Sequence, residues 1–292
     1  MLLYMEYLAI SAVLLFSTVA WADKFEKVEF GGNRSPKVLT NSGVEVTIQP
    51  QVNDEYSEKA IAAIRYVGFE PMLIELEPIP IGYPRSVGIG KVSQIDKAPA
   101  VIFQSFSGGA HCCSTVVAAI PIGNSFRKLE IGTWDGEGLV AFPRDIDGDG
   151  NADFILQDDG FNYAFSSYAG SWAPPQVKNV YRGQVVDLSA QPQFRNLFDD
   201  FSRKARVACS DKSNTDRNGA CAGYVASEAR AGRLEAALKF AHEMSYRGND
   251  QTLPSKCKVD YVNSRCPAGQ EISFGSFDSA IRWFPNEKGY IQ

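Results

Sequence analysis

From about Lys24 to Leu188 the apolar residues fall in short β-branched and aromatic runs such as VEVTIQP, MLIELEPIP, AVIFQSF, STVVAAIPI and RKLEIGTW, parted by Gly, Pro and Asn. Runs of this length bounded by turn formers predict a mostly antiparallel sheet. One interruption is expected at Ser57 to Tyr66, where SEKAIAAIRY places good helix formers behind a Ser start. Beyond Gln191 the spacing turns helical. Phe194, Leu197, Phe198 and Phe201 share a face, as do Leu234, Ala237, Leu238 and Ala241. Ala220 to Ala231 and Arg233 to Met244 predict two helices broken at Gly232, and Phe277 to Phe284 predicts a last one.

AGRLEAALKF is similar in outline to half of a tetratricopeptide repeat, but a single unit cannot stack, so a stapled helical hairpin is the expectation. A faint repeat runs through the β half: Asp96 to Phe103 aligns on Asp149 to Leu156 with a period of 53 residues, each copy leading from a loop into an apolar strand. That period is the size of a propeller blade. The fold class expected is therefore α+β: a mostly antiparallel β domain with propeller-blade-like sheets at 23–190, then a small disulfide-stapled helical domain at 191–292.

The first 22 residues hold an apolar stretch from Leu8 to Val19 and end in Ala20-Trp21-Ala22, which predicts a secretory signal cut before Asp23. The n-region carries only Glu6, and the run is short for a bilayer span, so no stable span is expected after cleavage. Periplasmic or secreted protein is the expectation. Without Glu6, 29 basic side chains face 33 acidic ones, a balance of minus four with no Lys/Arg cluster, and nucleic acid is not expected as a partner. Six cysteines in an exported chain predict disulfides. Cys209 with Cys221 and Cys257 with Cys266 would close short loops, leaving Cys112 and Cys113 for each other or as free thiols.

Asp145 to Asp153, DIDGDGNAD, crowds four carboxylates into nine residues before the apolar Phe154-Ile155-Leu156. Asp145, Asp147, Asp149 and Asp153 fall at positions one, three, five and nine of an oxygen-ligand calcium loop, with the Asn151 carbonyl at seven. Uncompensated, such like charges repel, and an acidic solvated turn without an ion is the plain alternative. Position twelve is Leu156 where a helix-loop-helix site needs a bidentate glutamate, so the loop is no EF-hand. The pattern resembles the calcium loops of FG-GAP and VCBS-type repeats, over 138–168 chiefly and 87–126 weakly. That resemblance implies a structural Ca²⁺ held by Asp145, Asp147, Asp149, Asn151 and Asp153 and carries no catalytic residues. The first repeat copy has Val92, Gln94 and Ala100 at three of these positions, so only the second could hold metal.

A second constellation is Ser107 to Ser114, SGGAHCCS, a glycine turn entering a β-branched strand. In a strand, His111 and Cys113 would project from one face and Cys112 from the other, making His111 and Cys113 the candidate pair for thiol-redox or hydrolytic chemistry. A soft metal at His111, Cys112 and Cys113 is conceivable by ligand type. The plain alternative is two packed or bonded cysteines beside a hydrogen-bonded histidine. His242 lacks an H-E-x-x-H continuation and is expected to be a surface or packing residue. Asp158-Asp159-Gly160 and Trp134 to Gly138 could offer carboxylates for work on a glycan, but read more simply as hairpin turns. Phe161, Tyr163 and Phe165 would line one strand face, as core or as a sugar-stacking platform, with Tyr168 and Trp172 beyond. The leading expectation is an exported, calcium-stabilised binding protein without catalytic activity, its partner an unknown protein or glycan. The alternative is an enzyme centred on His111, Cys112 and Cys113.

Overall fold

The computed structural model describes residues 25–291 apart from 32–34, 84, 137, 140 and 264. The expected signal segment and Glu137 lie outside the described residues. Four strands, β2 (Lys37–Asn41), β3 (Val44–Val52), β4 (Ser57–Arg65) and β5 (Met72–Pro80), form one antiparallel sheet in that order. A second sheet has the order β1-β6-β7-β8-β9, from β1 (Glu26–Phe30), β6 (Arg85–Gly90), β7 (Ala100–Phe106), β8 (Cys112–Ile122) and β9 (Ser125–Asp135). A third joins β10 (Phe154–Gln157), β11 (Pro175–Tyr181) and β12 (Gln184–Asp187).

The second sheet is the middle layer, and its sequence explains why. Along β7 Val101 and Phe103 pack with Val46, Ile48 and Ile64 of the first sheet, while Ala100 and Ile102 pack with Phe154 and Leu156 of the third. Both faces of β7 are buried, so it reads as an unbroken apolar run instead of an alternating one. The outer face of the third sheet meets the helices: Val177 joins the core of α1 (Arg195–Ser210), α2 (Asn218–Arg230), α3 (Leu234–Met244) and α4 (Phe277–Glu287). Helix α1 buries Phe198, Ser202, Ala205 and Cys209, one per turn, and Cys209 lies at disulfide distance from Cys221 of α2. A two-stranded ribbon, β13 (Lys256–Cys257) with β14 (Glu271–Ile272), lies before α4, and Cys257 stands at disulfide distance from Cys266.

The class is α+β, mostly antiparallel sheets with four helices in the C-terminal region. No closed barrel or propeller occurs among the described residues, so the blade-like expectation is corrected: the sheets stack in layers. The two proposed repeat copies do not form equivalent blades. Their loops pair with each other, Ala152 N donating to Val92 O at 2.8 Å and Gln94 N to Gly150 O at 2.9 Å. The helix expected at Ser57 to Tyr66 is also corrected. That segment is β4, a strand paired on both sides, burying Glu58, Ala60, Ala62 and Ile64 at a period of two. Tertiary packing overrides the helix preference of its alanines. Among the described residues no helix is long and apolar enough to cross a membrane.

Candidate functional site

The aspartate loop is a chain of side-chain-capped turns. Asp145 accepts the N–H of Gly148 at 2.7 Å and of Gly150 at 3.0 Å; Asp147 accepts that of Asp149 at 3.1 Å, and Asp149 that of Asn151 at 2.7 Å. Gly148 and Gly150 have φ of +81° and +86°, left-handed positions that L side chains rarely adopt and that keep the turns winding to one side. The result is one oxygen each from Asp145, Asp147 and Asp149 within 4.8 Å of one another, a spacing that a hard cation could bridge.

Asp153 is not in that group. It is 1% exposed, and its carboxylate accepts the Ile146 N–H at 2.9 Å and the Asn179 side-chain amide of β11 at 3.4 Å. Burial, helped by the charges of Asp147 and Asp149, pushes its pKa up to about 6. Asn151 turns its side-chain oxygen to the Ser93 hydroxyl at 2.7 Å, tying the loop to the segment before β7. Of the five expected ligands, then, three carboxylates converge, while Asp153 and the Asn151 side chain anchor the loop to its neighbours.

Strand β10 starts at the end of this loop, and four residues at about 3.3 Å each carry the chain roughly 13 Å to the second constellation. Beyond β10 the chain makes a 3₁₀ turn at Asp159–Phe161, with the Asp158 side chain accepting the Gly160 N–H at 3.1 Å. Phe161 and Phe165 point into the helical core and Tyr163 points out, 44% exposed, with φ +59°. The expected aromatic strand face is therefore absent, because the segment is a turn that buries Phe161, Ala164 and Phe165 at three- and four-residue spacing.

The Tyr163 hydroxyl lies 2.5 Å from Nε2 of His111, whose Nδ1 lies 2.9 Å from Asp135 Oδ1. The ring of Tyr168 stacks on the imidazole at 4.1 Å between centroids. Asp135 is itself held: its N–H donates to Asp159 Oδ2 at 2.9 Å and its carbonyl accepts the Asn162 amide at 2.6 Å. Asp135 and the Asp158–Asp159 pair are thus a strand end and a 3₁₀ cap, not hairpin turns. A histidine with a carboxylate on one nitrogen and a phenol on the other can hold and pass a proton.

Cys112 and Cys113 lie at disulfide distance from each other, as do the other two cysteine pairs among the described residues. A disulfide between them would leave no Cys113 thiol for His111. The pair sits where the turn closes, Gly109 N donating to Cys112 O and Ser107 N to Cys113 O, each at 2.9 Å. His242 is exposed, with Nδ1 3.0 Å from Asp278 Oδ1. The partnership of His111 with Asp135 escaped the sequence reading, although a signal existed. Ten residues out along each arm of the β8–β9 hairpin from Ile122 and Ser125 stand Cys112 and Asp135, directly opposed.

Together these features define a layered α+β protein with an acidic turn at one end of a short strand and a His/Asp/Tyr cluster at the other. Residues 199–289 match the protein family described as the sll0997 C-terminal domain. The chain is similar to "Probable thylakoid lumen protein sll0997" of Synechocystis sp. (strain ATCC 27184 / PCC 6803 / Kazusa), at 29% identity over 92% of this chain and 76% of the relative. It is also similar to "Uncharacterized protein y4bJ" of Sinorhizobium fredii (strain NBRC 101917 / NGR234), at 28% identity over 66% of this chain and 30% of that one. No solved structure matches significantly. The FG-GAP/VCBS resemblance is overturned by these findings: the matching family describes the helical region, and the relative spanning most of the chain is not a member of those repeats.

Proposed function

We propose that the chain is an exported binding module in which a bound Ca²⁺ orders the 145–153 loop, and the cluster of His111, Tyr163 and Tyr168 forms part of a surface for a protein or glycan ligand. The observation that carries this reading is the convergence of the Asp145, Asp147 and Asp149 carboxylates, whose mutual repulsion a divalent ion would remove. Three disulfide-distance pairs support an oxidising compartment, periplasmic or extracellular, and the Synechocystis relative is named as a lumen protein. Calorimetric titration of chelator-stripped protein with CaCl₂ tests the metal: one saturable site is expected, and no binding at millimolar calcium would remove the proposal.

A second reading has its own observation. The Asp135–His111–Tyr163 contacts favour a hydrolytic enzyme with His111 as base and Asp135 orienting it. If His111→Asn abolished turnover of an ester or glycoside that the wild type hydrolyses, this reading would displace the first.

A further inference from the structure

Cys112 and Cys113 adjoin the His111 cluster on two sides. In sequence Cys112 follows His111, and in the sheet it is paired with Asp135, whose carboxylate lies 2.9 Å from His111 Nδ1. Strand β8 is weakly held here. Its pairing with β7 ends at Ser114, and its pairing with β9 passes from Cys112 to Ser114, leaving Cys113 out of the ladder. A strand end with few ladder bonds belongs to the part of a fold that opens locally at low free energy.

Cys113 is bound instead to the preceding turn: its N–H donates to Ser107 Oγ at 2.5 Å, and its carbonyl accepts the Ser107 N–H at 2.9 Å. The Gly109 N–H donates to the Cys112 carbonyl at 2.9 Å, and a Cβ on Gly109 would meet that oxygen at 2.4 Å, so the chain passes tightly over it. The 107–113 turn is thus tied to the backbone of the two cysteines. His111 is carried on it. If that backbone moves, the imidazole leaves Asp135, the Tyr163 hydroxyl at 2.5 Å and the Tyr168 ring stacked on it at 4.1 Å.

The two sulfurs lie at disulfide distance. A bond between neighbouring cysteines closes a small ring through one peptide unit and fixes the soft dihedrals beside it, whereas two thiols leave them free. Access singles out the same pair. Cys112 is exposed, while Cys209 and Cys221 have no exposed surface and Cys257 is buried beside a half-buried Cys266. Exchange requires an attacking thiolate to reach one sulfur, so a reductant meets Cys112 first.

We infer that Cys112 and Cys113 form a thiol–disulfide exchange site for a dithiol partner, and that its opening releases His111 from Asp135 and Tyr163. One thiolate of the dithiol bonds to Cys112 Sγ and Cys113 Sγ leaves as a thiolate; the partner's second thiol then displaces Cys112. Two electrons and two protons pass to the cysteines, and the partner becomes the disulfide. The inference rests on the binding-module reading and supplies a regulation of its surface: the closed pair holds His111, Tyr163 and Tyr168 as one cluster, and the open pair disperses them.

The test follows the full chain by proton NMR of its two histidines during titration with dithiothreitol, with mass mapping of alkylated cysteines at each step. His242, partnered by Asp278 and Arg247, is the internal reference, and His242→Gln assigns the signals. In the closed state the Tyr168 ring should displace the His111 signals upfield. Dithiothreitol should expose Cys112 and Cys113 to alkylation before any other cysteine, the His111 signals should lose that displacement while those of His242 stay, and reoxidation should restore them. Cys112→Ser combined with Cys113→Ser should show the open position without reductant. Earlier opening of another pair, thiols that no oxidant closes, a His111 that stays in place when the pair opens, or both histidines moving together would each overturn the inference. No step involves calcium or a ligand, so the readings fail separately: absent calcium heat removes the metal and leaves the exchange site, and an unmoved His111 removes the exchange site's control and leaves the metal.

Discussion

Asp147→Asn offers a reversal of sign that only an ion-binding loop produces. One oxygen each of Asp145, Asp147 and Asp149 lies within 4.8 Å of the others. At that separation a pair of unit charges costs about 0.9 kcal/mol in bulk water and about 3.5 kcal/mol at an effective dielectric of about 20. Partial exposure and salt keep each pair near the lower figure. Asp147 belongs to two of the three pairs, so the amide relieves about 2 kcal/mol in chelator. It also keeps the oxygen that accepts the Asp149 N–H, so the turn survives. In calcium the balance inverts. A ligand at about a hundredfold over its Kd stabilises the wild type by about 2.7 kcal/mol, most of which the variant forfeits with a charged ligand. Thermal melts at low ionic strength should therefore show the variant about 4 °C above wild type in EDTA and about 1 °C below it in millimolar Ca²⁺. A variant above wild type in both media would mean that no ion binds, and one below in both would mean that the carboxylates do not repel.

Other perturbations probe the surrounding fold. Asp96 is held up at about 6 by burial, above its usual 3.8, so its charged form burdens the folded state by at most about 3 kcal/mol above pH 6, a cost that disappears as pH falls from 6 to 4. Asp96→Asn should thus stabilise at pH 7.5 and lose that advantage by pH 4, measured by urea unfolding; an advantage constant with pH would contradict the assignment. Phe154, with no exposed surface between the second and third sheets, should cost about 3–5 kcal/mol as Phe154→Ala in the same assay. Removing Cys209 and Cys221 together, 12 residues apart and joining α1 to α2, should cost about 3 kcal/mol; a loss below ~1 kcal/mol would show that packing alone holds the pair of helices.

How much of this was legible depended on whether local pattern and tertiary environment agreed. The helices at 218–230, 234–244 and 277–287 fall close to the predicted spans, since their buried residues join one core. Ser57–Arg65 misled because its alanines and Ser start favour a helix locally, and only pairing with β3 and β5 makes it a strand. The 161–165 turn misled in the opposite direction. Phe161, Tyr163 and Phe165 alternate like a strand, yet Tyr163 takes a left-handed φ and leaves the set, and the Asp158 cap was the available sign of a turn. The turns of the acidic loop were legible, because its own side chains close them, whereas the burial of Asp153 away from the other three carboxylates was not.

The short β10 strand explains how an ion could matter to a surface it never touches. Asp153, at the strand's root, binds the loop through Ile146 and the neighbouring β11 through Asn179, while Phe154 and Leu156 plug the core below. Directly beyond the strand, Asp158 caps the turn and Asp159 takes the N–H of Asp135, the residue that holds His111. Buried groups fix β10 at both ends, so disorder in the 145–151 segment would reach Tyr163 only by loosening a strand of four residues. Such a strand has few ladder hydrogen bonds of its own and depends on what anchors its termini. An ion at the loop would therefore act by stiffening one anchor, which makes a structural role for it compatible with a ligand surface on the opposite end of the same strand.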